Sequence, residues 1–257
     1  MDGAIDINCD LGEGFGVWQL GVDEELLQSV TSANVACGFH AGDPEVMART
    51  VRAARERGVR VGAHPGLPDL VGFGRRAMAI SPERAYQDTL YQIGALDAFC
   101  RAARWPLQHV KPHGQLNNMA VQDPMLAEAI ALAVRDYGAD LVLIAYGGEM
   151  ILAAERLGLR VAREVYADRA YNADGTLVSR SVAGAVLHDP EEVVRRAVRM
   201  VTEERVQAIT GEWVDLQAQT ICVHGDTPGS ARLAGKIRSA LREAGARVQA
   251  LRPIAAG

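Results

Sequence analysis

Seven short apolar runs alternate with stretches whose apolar residues recur every three to four positions, the pattern of strands followed by amphipathic helices. The runs are AIDINC (4–9), SANVAC (32–37), VRVGA (59–63), LQHVK (107–111), DLVLIA (140–145), RVAREVYA (160–167) and TICVH (220–224). Helices are predicted over 23–32, 43–58, 81–103, 123–138, 147–158, 189–203 and 227–245. Their ends carry the expected punctuation. Ser81 is an N-cap followed by Pro82 at the first helical position, Asp43 and Pro44 repeat that pair, and Gly58 closes a helix. Seven strand–helix units with short connections predict a seven-stranded (β/α) barrel of the TIM type within a single domain, 1–257, with a doubly wound open sheet as the second choice.

Two irregular stretches break the rhythm, at 64–80 and 167–187. Both follow strands, so both belong to the face where the C-terminal ends of parallel strands meet, and long loops there usually serve function. Four of the six histidines sit in turns on that same face: His40, His64, His113 and His224. A parallel fold gathers them, and that convergence is the reason to expect an enzyme.

Composition narrows the reading. A 257-residue chain that is 49% hydrophobic and 23% charged has the make-up of an ordinary soluble globular protein. Its net charge of −5 and few aromatics argue against nucleic acid or an anionic membrane as partner. No apolar run nears the roughly 20 residues that span a bilayer. The acidic start MDGAIDINCD lacks the basic region of a signal peptide. Cys9, Cys37, Cys100 and Cys222 have no CxxC spacing and read as reduced, packed thiols of a cytoplasmic protein. Oligomeric state stays open, self-association included.

The strand-end residues offer chemistry. Asn8, Asp10 and Glu13 suit metal binding or acid–base work, although Asn and Asp also cap turns. Asn34 and His40 follow the second strand, where Asp43 is better explained as a cap and Cys37 as packing. Pro65 directs His64 away from helical backbone. Lys111, at the end of a buried strand, requires an acid, a phosphate or a substrate carboxylate opposite it. His109 and His188 read as structural. The sixth strand leads to Glu164, Asp168 and Arg169. The seventh leads to His224, Asp226 and Thr227 ahead of a helix whose N–H groups can hold an anion or be capped locally. Lys111, Arg75, Arg76 and Arg169 suit phosphate or carboxylate recognition. Asp10, His40 and His64 form the metal set if a divalent site exists, but no HxH, HExxH or phosphate-loop spacing occurs.

NCDLGEGFG, TSANVACGFHAGDP, GAHPGLPDLVGFGRR, HVKPHG, EVYADRAY and ICVHGDTPG resemble, in order and spacing, the LamB/YcsF family of 5-oxoprolinase A subunits, from about residue 5 to about residue 240. The resemblance implies a barrel related to the glycoside hydrolase/deacetylase superfamily. It also implies ATP-dependent opening of 5-oxoproline to L-glutamate with 5-oxoprolinase subunits B and C, and Mg2+ accompanying ATP. Catalysis is then expected from Asp10, His64, Lys111 and His113. Binding of substrate or phosphate is expected from Asn8, Glu13, Asn34, His40, Arg75, Arg76, Asp168, Arg169, His224 and Asp226. Where the family usually reads KPHGALYN this chain reads KPHGQLNN, placing Gln115 and Asn117 in the motif. Two other readings share the fold: a metal-dependent deacetylase or amidohydrolase that needs no ATP, and a non-catalytic lactam carrier.

Overall fold

The computed structural model describes residues 4–18, 20, 22–223 and 229–251. In chain order the elements are β1 (Ala4–Leu11), α1 (Asp23–Leu26), β2 (Ser32–Ala36), α2 (Pro44–Glu56), β3 (Arg60–His64), α3 (Pro82–Ala102) and β4 (Leu107–Val110). There follow α4 (Gly114–Ala120), α5 (Pro124–Tyr137), β5 (Val142–Ala145), α6 (Gly148–Arg156), β6 (Arg160–Tyr166) and α7 (Pro190–Thr202). The chain ends with β7 (Arg205–Gln207), β8 (Trp213–Asp215), β9 (Thr220–Val223), α8 (Ser230–Glu243) and β10 (Arg247–Val248).

Strands β1 to β6 and β9 pair in parallel, and β9 pairs with both β6 and β1, so the seven close into a barrel. All seven correspond to the apolar runs of the sequence. The two-residue β10 adds in parallel to the start of β1, and β7–β8 form a separate antiparallel pair. Helix α1 covers only four of the ten residues predicted for it. The predicted caps are formed: Asp43 accepts from the Val46 amide at 2.9 Å and Ser81 from the Arg84 amide at 3.2 Å. Each such cap stabilises its helix by about 1 kcal/mol. Among the described residues, no helix is long and apolar enough to cross a membrane.

Side chains alternate across each strand, so one row faces the barrel axis and the other faces the helices. On β1 the outer row is Ile5, Ile7, Cys9 and Leu11, all buried in the main apolar core. The inner row is Asp6, Asn8 and Asp10. This polar interior is stacked in layers. At the bottom, Asp6 accepts from Ser32 at 2.7 Å and from Thr220 at 2.5 Å. In the middle, the Asn8 amide donates to Glu164 at 2.9 Å and the Asn34 amide donates to Asn8 at 2.7 Å. His109 Nε2 meets Asn34 Oδ1 at 2.8 Å, and an oxygen can only accept, so that nitrogen carries the hydrogen. Gly62 makes room for this ring, because a Cβ there would stand 2.1 Å from it.

Candidate active site

The upper layer of the barrel opens into a cleft. Lys111, just past β4, is buried, and its ammonium reaches Glu164 Oε1 at 2.9 Å, Asp10 Oδ1 at 3.0 Å, Cys222 Sγ at 3.1 Å and Asn8 Oδ1 at 3.2 Å. Burial works against this charge, but Asp10, Cys222, Glu164 and Tyr166 outweigh it and hold the ammonium well above its usual range. Asp10 responds in kind. Burial disfavours its carboxylate, yet His64 and Lys111 together keep it well below the ordinary range. Its second oxygen, Oδ2, lies 3.3 Å from His64 Nε2. The result is an ionised carboxylate fixed between a cation and an imidazole. On the far side of Lys111, the Tyr166 hydroxyl donates to Glu164 Oε2 at 2.5 Å.

Three histidines stand beside Asp10. His64 Nδ1 meets the Lys111 carbonyl at 2.6 Å, and His113 Nε2 meets the Phe73 carbonyl at 2.9 Å. His113 Nδ1 and His64 Nε2 face one another at 3.0 Å. His40 lies flat against His113, with ring centroids 3.7 Å apart and planes 4° from parallel. Desolvation, reinforced by the neighbouring histidines, pushes His40 well below the usual imidazole range. Desolvation and then His64 bring His113 to about 3. The glycines of the loop after β3 make this packing possible. A Cβ on Gly66 would fall 2.5 Å from His40 Nδ1, and one on Gly74, at φ +62°, would fall 2.8 Å from His40 Cβ. Glu13 Oε1 completes the group, 3.7 Å from both His40 Nε2 and His113 Nδ1.

The cleft, about 90 Å³, is lined by Asp10, His64, Lys111 and His113 on its floor and by Asn117, Tyr146, Tyr166, Arg75, Arg169 and Arg180 on its walls. Arg75 lies over the Phe73 ring at 4.8 Å, and Arg169 donates to the Val178 and Ala185 carbonyls, bracing the loop after β6 against itself. A larger cavity of about 330 Å³ between α7 and α8 shares none of these residues. The ionised pairs sit in the smaller one, which is therefore the better candidate site.

Residues 5–256 match the LamB/YcsF family along almost the whole chain. The chain belongs to the LamB/YcsF family. It is 55% identical to a protein from Tolumonas auensis named as the A subunit of 5-oxoprolinase, over 96% of this chain and 99% of that one. The crystal structure of a lactam utilization protein from Thermus thermophilus superposes with a TM-score of 0.93 at 48% identity, covering 96% of this chain and all of that one. The catalytic domain of a peptidoglycan N-acetylglucosamine deacetylase from Eubacterium rectale aligns with a TM-score of 0.52 at 11% identity, over 98% of this chain and 90% of that one, a likeness of fold alone.

In this LamB/YcsF chain the residues singled out in the sequence are sorted by the barrel. Asp10, His64, Lys111, His113, Arg75 and Arg169 meet at the cleft. His40 and Glu13 lie behind it, against His113. Asn8 and Asn34 are a layer lower, inside the barrel, where they brace Asp10 and Lys111 instead of lining the cleft. Two expected residues stand apart from the cleft lining. Arg76 turns away from the cleft to pair with Asp69, while its neighbour Arg75 faces inward. Asp168 borders the cavity between α7 and α8. Of the conditional metal set, His40 and His64 cluster with Glu13 and His113, while Asp10 stands beside them with Oδ1 on Lys111. His224 and Asp226 lie outside the described residues. The Cys37 thiol, pushed up to about 12 by burial, is packing as expected. Sequence reasoning misses Tyr146, Tyr166 and Arg180. It sees Asn117 only as a departure from the family motif and Glu164 only as a strand-end acid. The period-2 polar row Asp6–Asn8–Asp10 is the signal that the interior of this barrel is polar.

Proposed function

We propose that this chain is the A component of an ATP-dependent 5-oxoprolinase and opens the lactam to L-glutamate together with subunits B and C. The observation that carries the reading is the juxtaposition, in one small cleft, of the Asp10–His64 pair with Lys111 and the arginine walls. The names of the close relatives point the same way. A cleft of about 90 Å³ is several-fold below the roughly 300 Å³ at which drug-sized pockets begin, so it suits a five-membered ring better than a nucleotide.

A lactam carbonyl is a poor electrophile, and ATP supplies the activation by phosphorylating its oxygen. Water then adds to the ring carbon, the C–N bond breaks, and the amine leaves with a proton. The resulting acyl phosphate takes a second water to give glutamate and phosphate. The chain's own groups fit these demands. Asp10, kept ionised beside His64 Nε2, favours the imidazolium that forms when that nitrogen accepts the proton of the attacking water. Arg75, Arg169 and Arg180 suit the substrate carboxylate and phosphoryl oxygens. Lys111 holds Asp10 and Glu164 in place from below. Mg2+ needs oxygen donors, and both Asp10 and Glu164 are engaged by Lys111, so the metal would travel with the phosphates of ATP and not in a cage of this chain.

Mixing this chain with subunits B and C, 5-oxoproline and ATP tests the reading. Glutamate should form only when all three proteins are present. Its absence from every combination would contradict the proposal. Hydrolysis of an acetylated sugar without ATP would instead favour the metal-dependent deacetylase, the reading to which the histidine cluster lends support.

A further inference from the structure

The facing nitrogens of His64 and His113 pose a problem of proton arithmetic. A neutral imidazole carries one N–H and one lone pair. A backbone carbonyl can only accept, so His64 spends its hydrogen on Nδ1, toward the Lys111 carbonyl, and His113 spends its hydrogen on Nε2, toward the Phe73 carbonyl. What remains is His64 Nε2 against His113 Nδ1, lone pair to lone pair, at 3.0 Å. Two acceptors at that distance, with Asp10 Oδ2 3.3 Å from the same His64 nitrogen, repel unless a proton or a metal cation lies among them.

The neighbouring groups add further lone pairs. Glu13 Oε1 is 3.7 Å from His113 Nδ1. His40 is about 1% exposed, and neither of its ring nitrogens has a hydrogen-bond partner among the described residues. Its Nε2 stands 3.7 Å from the same Glu13 oxygen. The ligating atoms of all four residues fall within 4.8 Å of one another.

We propose that Glu13, His40, His64 and His113 form a binding site for one divalent first-row transition-metal ion. The dimensions suit it. Bonds of about 2.1 Å in the tetrahedral geometry of Zn2+ put every pair of donors about 3.4 Å apart; the contacts at 3.0 Å and 3.7 Å bracket that spacing, and the widest separation, within 4.8 Å, has to close by somewhat over an ångström. The groups behind the ligands are already in place: two of the rings donate their remaining N–H to backbone carbonyls, the arrangement that fixes tautomer and direction for metal ligands. Three imidazoles with one carboxylate favour Zn2+ or its neighbours over Mg2+ or Ca2+, which prefer all-oxygen shells. If the lactam reading holds, the ion would sit beside Asp10 under the cleft and take the His64 Nε2 lone pair, leaving Asp10 Oδ2 to accept the proton of the attacking water. Binding itself does not depend on that reading.

The test uses the full chain and no substrate. After chelation and desalting, the protein is titrated with Zn2+ by calorimetry, and bound metal is counted by mass spectrometry. Co2+ is added to a second sample and its visible absorption recorded. We expect one ion per chain, a Co2+ spectrum carrying nitrogen-ligand bands, and no displacement by millimolar Mg2+. His40→Ala and Glu13→Gln, checked for folding by circular dichroism, should weaken Zn2+ binding at least ~10- to 100-fold. Two results would overturn the proposal: chelated wild-type protein that takes up less than about a tenth of an equivalent of Zn2+ or Co2+, or uptake unchanged in both folded variants. Because no turnover is measured, an inactive 5-oxoprolinase complex leaves this result standing, and a metal-free chain leaves the lactam assay standing.

Discussion

Asp10 faces His64 with one oxygen, 3.3 Å from Nε2, while its other oxygen is held by Lys111 at 3.0 Å. The carboxylate is thus both charged and aimed. Lys111 in turn bridges Asp10 to Glu164, whose Oε1 it reaches at 2.9 Å.

Lys111→Met keeps the side-chain stem and removes the charge. Two buried carboxylates then lose their cation, a loss that typically costs about 3–5 kcal/mol. Thermal denaturation at neutral pH should show a lowered midpoint, and glutamate formation by the assembled complex should fall at least ~100-fold. A variant with unchanged melting and near-normal turnover would remove Lys111 from both roles.

The place of Lys111 also marks what the sequence could reveal. A lysine ending a buried strand has to meet an anion, so a partner is legible, but that it is Asp10 and Glu164 and not a ligand depends on how neighbouring strands are staggered. Seven strands could be counted because each is an apolar run between strong helices. Elements α4, β7, β8 and β10 were not, because none carries an apolar run: α4 is the largely polar GQLNNMA, and β7, β8 and β10 span only two or three residues. The Arg75–Arg76 pair shows the same limit at the site. Adjacent residues point apart, and only the position of Asp69 decides which one is drawn outward.

His109 should make stability depend on pH. Burial, then the charge of Lys111, pull it to about 3, against roughly 6.5 in the unfolded chain. Between those values only the unfolded chain takes up the proton. The stabilisation is complete above pH ~6.5 and is lost as pH falls toward 3, by up to about 1.4 kcal/mol per pH unit. His109→Gln can still donate to Asn34 but cannot be protonated. Melting curves from pH 7 to 4 should therefore fall less steeply for the variant than for the wild type, and parallel curves would refute the assignment.

Gly62→Ala should place a methyl group 2.1 Å from the His109 ring. Overpacking of this kind costs roughly 1–3 kcal/mol. A Gly62→Ala/His109→Ala double variant should recover part of that loss. Strict additivity in a double-mutant cycle would show that the two residues do not collide.

Asn117, which occupies a wall of the cleft, is buried and its Oδ1 has no hydrogen-bond partner among the described residues. An amide oxygen in that position suits the lactam N–H. Asn117→Ala should raise KM for 5-oxoproline by about 10-fold, the scale of one hydrogen bond, with little change in melting. A change in melting with KM untouched would make Asn117 a packing residue.

The central claim is that the Asp10–His64 pair carries lactam opening. Asp10→Asn preserves shape and removes the charge that stabilises the imidazolium of His64. The most direct measurement is the rate of ATP-dependent glutamate formation from 5-oxoproline by the complete three-protein complex, containing either wild-type or Asp10→Asn chain, with assembly verified by size-exclusion chromatography. We predict robust turnover with the wild type and a loss of at least ~100-fold with the variant. An assembled Asp10→Asn complex that turns over within about threefold of the wild type, a difference below ~0.7 kcal/mol, would contradict the account.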